Sequence, residues 1–340
     1  MGSSLSHTKV VEAAPSDELT GITTAFNVAL DNELDGLSVT LPDAQIALLD
    51  VSTLFTDELL IEFAQTVQSC VQGPPLAPAS EPTSICINPS EYLFFDEIHP
   101  TATAHSAIGE RAIEAVDQSL SEEVIAGMTG LFIFGDSLSD RGNVFAFSGS
   151  TFPFPVAVQG PLSGSPLYVD GRFTNGPVWW EPLAQHFNLT NPHTYYQEKL
   201  SGNTPNLSDG SINFSVGGAT TGTDNAGNAQ NPPFPSELPG LQDQIDAFEA
   251  LTILEGGADP AALYVIWAGA NNFLGAFIPT DRTNPFGPFT DFTTDPTAPA
   301  TDIAMAVEEL YNLGARNFLV ANMYDIGNTP LARDIDLLFP

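Results

Sequence analysis

Leu131-Phe132-Ile133-Phe134 runs directly into Gly135-Asp136-Ser137-Leu138-Ser139-Asp140, with Gly142-Asn143 close behind. Consecutive apolar residues suit a strand buried on both faces, the strand type of parallel sheets. Gly, Asp and Ser then mark a turn at the carboxyl end of that strand, where open α/β folds hold their ligands. Working outward, short apolar runs of the same kind occur at Gln45–Val51, Ile212–Val216, Leu263–Ala268 and Asn317–Ala321. Helical patterns separate them. Leu19, Ile22, Phe26, Leu30 and Leu34 recur at helical spacing, with Ser16 as cap and Asp17 and Glu18 in the first turn. Thr56–Gln68 reads as a helix, as does Ala102–Val116, with Ile108, Ala112 and Val116 on one face. Pro177 suits the first position of a helix over Val178–Phe187. Leu241, Ile245, Phe248 and Leu251 mark another, and Ile303–Leu313 a third, with Gly314 as its stop. Strands alternating with helices predict parallel crossovers, hence one α/β domain of about five parallel strands covered on both faces. Segments 71–91, 144–176 and 222–240 read as loops, and 117–130 as a connector.

Composition bounds the partners. Hydrophobic residues make up 43% and charged residues 15%, enough for a sizeable core. Eight basic residues against 42 acidic give a net charge of −34. So few cations cannot neutralise many phosphates, which argues against nucleic acid and against anionic membrane surfaces. The longest apolar stretch, Ala261–Ala270, is too short to cross a bilayer, so no stable membrane insertion is expected. Met1–Val10 has no apolar centre and does not read as a secretory signal. Cys70 and Cys86 flank a Pro-rich loop, and their spacing leaves a disulfide and two thiols equally open.

The chemistry-bearing residues lie at strand ends. Ser137 follows an apolar strand and sits where a helix can begin, which exposes a hydroxyl beside backbone N–H groups able to face a developing negative charge. An ordinary turn capped by Asp and Ser is the other reading of these residues. Asp96-Glu97-Ile98-His99-Pro100 offers what a serine nucleophile needs, a neutral imidazole and a carboxylate to orient it. An Asp three positions before a His can curl back to its ring, so one short loop supplies both. A solvated acidic turn ahead of a helix is the alternative. His105 suits a helix surface or a place behind His99; no His-Glu-x-x-His, Cys-x-x-Cys or third close ligand accompanies it to favour a metal. The backbone N–H of Gly218 and the side-chain amide of Asn271 are suitable oxyanion donors, or simply a Gly turn and an Asn turn. The chain lacks Gly-x-Ser-x-Gly, Gly-x-Gly-x-x-Gly and Gly-x-x-x-x-Gly-Lys, which disfavours a common α/β-hydrolase elbow and nucleotide sites.

Together these pieces resemble the GDSL esterase/lipase family, the SGNH hydrolases. The matching blocks are Gly135–Asp140 with Gly142-Asn143, Asn213–Ala219, Gly269-Ala270-Asn271-Asn272, and Asp96–Thr101 with His105. The stretches Asp170–Gly176 and Gly314–Phe318 are also similar to family segments. The resemblance implies a flavodoxin-like three-layer α/β/α fold and ester hydrolysis through an acyl-enzyme. Ser137 would be the nucleophile, His99 the base and Asp96 its orienting acid. The Ser137 and Gly218 amides and the Asn271 side chain would hold the oxyanion. No cofactor or metal is implied. The substrate would be a small-molecule or lipid ester, short- to medium-chain because no amphipathic lid helix is evident. The aromatics of Val144–Tyr168 offer an acyl pocket or mere loop anchors. A carbohydrate O-acetylesterase and a non-catalytic binding module of the same fold are the alternatives, with a metal-dependent hydrolase behind them. A monomer is expected, and the Cys pair with the family implies a secreted or periplasmic parent. Two departures stand out. Asn272 occupies a position where the family usually has Asp. The order of blocks is also rotated: residues 129–340 correspond to the family's N-terminal part and 7–118 to its C-terminal part, joined through 117–130, as in a circular permutation.

Overall fold

The structure, a computed structural model, describes residues 14–73, 84–147, 168–203, 205–229, 237–277 and 291–338. In chain order the elements that bear on the site are α1 (Pro15–Thr40), β1 (Gln45–Leu49), β2 (Gln65–Ser69), β3 (Tyr92–Phe94), α2 (Ala102–Ser119), α3 (Glu122–Ala126), β4 (Leu131–Gly135), α4 (Trp180–His186), β5 (His193–Thr194), β6 (Ser211–Asn213), α5 (Leu241–Glu255), β7 (Leu263–Trp267), α6 (Ala270–Phe277), α7 (Thr297–Leu313), β8 (Asn317–Ala321) and α8 (Pro330–Leu338).

Six strands form one sheet in the order β1-β8-β7-β4-β6-β5, and every neighbouring pair is parallel. The sixth strand, β5, is a two-residue edge piece, too short to leave an apolar run in the sequence. All residues of β4, β7 and β8 are buried, as both-faced cover by helices requires. The helices α1, α7 and α5 touch in succession, and α2 packs on α4 and β1. Phe132, Phe134, Phe214, Phe248 and Tyr264 interlock at the centre with ring centroids 5.1–5.9 Å apart. Counted from β4 onward and then through β1, leaving out the edge piece, the strands take the spatial order 2-1-3-4-5 of flavodoxin-like sheets. Among the described residues no helix is long and apolar enough to cross a membrane.

Several local expectations need correction. Ser16 does not cap α1: the helix starts at Pro15, and the Ser16 hydroxyl donates instead to Asp336 of α8. Thr56–Gln68 is not one helix. Helical turns end at Glu62, and Gln65–Ser69 extends to pair with β3, where a strand partner overrides the local helical pattern. The helix after Pro177 begins only at Trp180, and the Val178 N–H ahead of it donates to the Glu181 carboxylate at 2.9 Å, which caps the helix start. The regular ladder of β6 stops at Asn213, although Phe214 and Val216 still donate to the Ile133 and Gly135 carbonyls. The connector carries a helix of its own, α3, capped by Ser121. Near the chain ends, α1 lies along the stretch after β8. Thr20 bonds Asp325 at 2.9 Å, and Asn27 exchanges two hydrogen bonds with the Met323 backbone at 2.8 and 2.9 Å.

Candidate active site

The turn after β4 is built from buried polar groups. Gly135 has φ +145°, and a Cβ there would lie 2.0 Å from the Trp267 carbonyl oxygen, so only glycine fits between β4 and β7. Gln244 of α5 clamps both polar groups of the Gly135 backbone at 2.8 Å. Asp140 accepts hydrogen bonds from the N–H groups of Gly142, Asn143, Val144 and Gly217. Asn143 donates to the Asn213 and Ser215 carbonyls and accepts from Tyr196 N–H. The two loops at the carboxyl ends of β4 and β6 are thereby tied together. Within Leu131–Asp140 every residue is buried except Ser137, which is half-exposed.

The second component arrives from β3. Asp96 is 3% exposed, yet its carboxylate is surrounded by donors. Oδ1 accepts from the N–H groups of Ile98 at 2.9 Å and His99 at 2.7 Å, closing the turn expected from the Asp-x-x-His spacing. Oδ2 lies 2.7 Å from His99 Nδ1 and accepts from the Tyr168 hydroxyl at 2.7 Å. Burial pushes the Asp96 carboxyl up, but the His99 charge and these hydrogen bonds outweigh it and hold it below the ordinary carboxylate value. An ionised carboxylate only accepts, so Nδ1 carries the proton and Nε2 presents its lone pair. His99 Nε2 is 2.8 Å from Ser137 Oγ, which donates to it. The Phe173 ring lies against the imidazole, centroids 5.1 Å apart. The flanking segment clamps the loop: Thr174 donates to the Pro100 carbonyl at 2.8 Å and Asn175 accepts from Ala102 N–H. Tyr324 donates to the Ile98 carbonyl at 2.9 Å.

Gly218 and Asn271 stand at the neighbouring strand ends. Each is half-exposed, like Ser137. Gly218 has φ +84°, and among the described residues no acceptor meets its N–H or that of Ser137. Asn271 Nδ2 donates to the Ala219 carbonyl at 3.0 Å and, among the described residues, otherwise reaches only Asp136 Oδ2 at a long 3.5 Å, which leaves it donor capacity for a ligand. Asn272 is buried and occupied elsewhere. Its amide accepts from Thr221 N–H and donates to Thr221 Oγ and the Asp291 carbonyl. A carboxylate could not donate to that carbonyl, which gives the Asn its structural reason.

Three further residues bear on the site. Asp136 is fully buried, and burial lifts its carboxyl to about 7 against one backbone hydrogen bond from Leu138 and the His99 charge. Tyr168, from a segment read as pocket lining or loop anchor, turns its hydroxyl to Asp96; Val144 and Phe147 are buried, and residues 148–167 of that segment lie outside the described residues. His105 takes the second of its two expected places, buried behind His99 rather than on a helix surface; burial and the neighbouring His99 push its imidazole down to about 3, and among the described residues its Nδ1 has no partner. Among the described residues no three His, Cys, Asp or Glu side chains gather as a metal site. Cys70 and Cys86 form a disulfide, Cα atoms 4.8 Å apart, in a small cluster with Phe95 and Tyr168 beside the Asp96 loop.

Residues 131–338 match the family of GDSL-like lipases and acylhydrolases. Among individual proteins, the chain is 27% identical over 203 residues to a phosphatidylcholine-sterol acyltransferase of Aeromonas hydrophila, covering 60% of this chain and 47% of that one. It is 29% identical over 206 residues to a GDSL esterase/lipase of Arabidopsis thaliana, covering 59% of this chain and 51% of the relative. A second Arabidopsis thaliana protein of the same description is 28% identical over 240 residues, 65% of this chain and 60% of its own length. The chain thus spans about half the length of the curated relatives it matches.

Proposed function

The chain belongs to the GDSL-like lipase/acylhydrolase family, and on that premise we propose that it is a serine esterase acting on short- to medium-chain carboxylic esters through an acyl-enzyme. One observation carries the reading: the hydrogen-bonded series from Asp96 through His99 to Ser137, with both links at 2.7–2.8 Å. Ser137 Oγ attacks the ester carbonyl while its proton passes to His99 Nε2. Asp96 keeps the imidazole in the required tautomer and stabilises the imidazolium. The amides of Ser137 and Gly218 and the side-chain amide of Asn271, turned from its long contact to Asp136, receive the oxyanion. Collapse of the tetrahedral intermediate expels the alcohol, which takes the proton back from His99. Water, activated by His99 in turn, attacks the acyl-Ser137 ester and releases the acid. An alcohol in place of that water would give acyl transfer, the reaction named for the Aeromonas relative.

The rotated block order is read as a circular permutation, with residues 7–118 standing for the C-terminal part of the ordinary family chain and 129–340 for its N-terminal part. The spatial strand order counted from β4 supports this. The bond between Ser16 and Asp336 also supports it, since it brings the old junction together. The disulfide favours an extracytoplasmic setting. The test is an ester chain-length series on wild type and Ser137→Ala, with labelling by a serine-directed fluorophosphonate. Wild type turns over short and medium esters and takes one label at Ser137; Ser137→Ala does neither and folds normally. Full activity in Ser137→Ala, or a label elsewhere, overturns the assignment. Absence of both signals in wild type favours the binding-module reading.

A further inference from the structure

The Asp96 carboxylate has all four of its lone-pair directions filled. Two are met on Oδ1 by the amides of its own loop, and one on Oδ2 by His99 Nδ1. The fourth comes from far away: the Tyr168 hydroxyl, 72 residues along the chain, donates to Oδ2 at 2.7 Å. Burial and the adjacent Asp96 and Glu97 charges raise the Tyr168 phenol well above its ordinary value, so it stays a donor across the working range. Its ring is held independently of that hydroxyl. It stands edge-on to Phe95, centroids 5.4 Å apart, and meets Phe173, whose own ring covers His99. Cys70, Val71 and Cys86 complete the cluster around it.

We propose that Tyr168 is a positioning residue for the acid–base pair: its hydroxyl fixes the Asp96 carboxylate with Oδ2 toward His99 Nδ1 and takes up part of that oxygen's charge. This rests on the Ser137–His99–Asp96 reading above. The physical consequence is a moderated imidazolium. Without the phenol, the Oδ2 charge in a dry site is shared with His99 alone, and His99 holds its proton more tightly. Reaction needs the neutral imidazole, so the acid limb of the rate profile must move to higher pH. The other titratable groups facing the pair are His105 from α2, Asp136 from the turn after β4, Tyr324 beside Asp96, and Glu97, whose charge also acts on the Tyr168 phenol.

The experiment compares wild type, Tyr168→Phe and a chain with 3-fluorotyrosine in place of Tyr168. Two quantities are read: the pH profile of kcat/KM on a soluble ester, and the midpoint of His99 ring titration by NMR. In Tyr168→Phe, kcat falls about tenfold with KM unchanged, and both midpoints rise by roughly half to one pH unit. The fluorinated phenol is a stronger donor and moves both the opposite way. Unmoved midpoints in both replacements overturn the proposal, even where Tyr168→Phe lowers the melting temperature, since a purely structural ring would do that alone. If Tyr168→Phe fails to fold, the fluorinated chain, which keeps the hydroxyl, still decides. If wild type hydrolyses no ester, the triad reading falls, while the NMR midpoint still reports on Tyr168.

Discussion

The turn from Gly135 to Asn143 and the loop from Phe95 to Pro100 meet at one hydrogen bond, yet they are built on opposite plans. The first is clamped from outside by polar side chains: Gln244 on Gly135, Asp140 on the Gly217 amide, Asn143 on two carbonyls of the next strand end. The second holds itself, with Asp96 bonding the amides two and three residues on and Phe95 N–H donating to the His99 carbonyl at 2.7 Å. Its outside support is largely aromatic, with the Thr174, Asn175 and Tyr324 bonds added. Polar groups in the first turn therefore carry the architecture as well as presenting Ser137. In the second, the His99 ring holds none of the backbone together, while the Asp96 carboxylate both closes the loop and faces that ring. The sharpest break of this contrast is a set of three variants. His99→Ala should cost about 10⁶-fold in kcat with thermal unfolding barely changed, and Asp96→Asn about 10⁴-fold together with part of the stability that its carboxylate gives its own loop. Asp140→Asn should instead cost about 4 kcal/mol of stability, because an amide cannot accept from all the N–H groups that a carboxylate serves. Activity and denaturant unfolding on the three proteins check both halves. Unfolded His99→Ala, or an Asp140→Asn as stable as wild type, would erase the distinction.

The same contrast appears in two buried aspartates. Asp96 has donors on every side and lies below the ordinary value; Asp136 has one firm donor, Leu138 N–H, and is lifted to about 7 by burial. The signs oppose. Asp96 contributes stability that is present above the unfolded carboxylate value and is lost as pH falls. Asp136 binds a proton in the fold that the unfolded chain has released. Its penalty therefore begins near the unfolded value of about 4, grows as pH rises, and is complete above 7. Over that window the cost approaches about 4 kcal/mol at full burial. Asp140, raised to about 6 with burial as the leading cause, titrates with the same sign, so the stability of wild type alone does not isolate Asp136. Asp136→Asn does: its unfolding free energy should gain on wild type by several kcal/mol between pH 5 and pH 8. A pH-independent difference between the two proteins would mean that Asp136 ionises freely in the fold.

What the sequence made legible follows from range. The strand ending at Gly135, the Asp-x-x-His turn, and the half-exposed positions Ser137, Gly218 and Asn271 are set by spacing within a few residues. The contact between His99 and Ser137 needed only strand order on top of that. Tyr168 was illegible for the converse reason: it sits in a Phe- and Pro-rich stretch with no period, and its partner is 72 residues distant. The two residues of β5 pair only because β6 offers an edge, and β2 overrides its helical pattern because β3 lies beside it. Ser16 looked like a cap until a carboxylate 320 residues away competed for it.

That last pairing bears on the smallest expected effect. If the two regions compared above belong to one permuted fold, the covalent order that links them is immaterial to their meeting. A chain beginning at Thr129, running to Pro340, joined by a flexible Gly/Ser linker to residue 14 and ending at Gln118 should fold with the same sheet. The existing bonds of α1 to Asp325, Met323 and Asp336 already hold the junction, so the linker has little to bring together. What is given up is the link 119–128, with the buried Leu120 and the half-buried Val124 and Ile125 of α3 that pack on the core. Ester turnover should therefore stay within about twofold of wild type, with stability lower by about 2–3 kcal/mol. A soluble rejoined chain that labels with fluorophosphonate but has lost turnover would show that the acid–base loop depends on the present chain order. A chain that does not fold would show that residues 14–118 and 129–338 are not halves of one interchangeable circle.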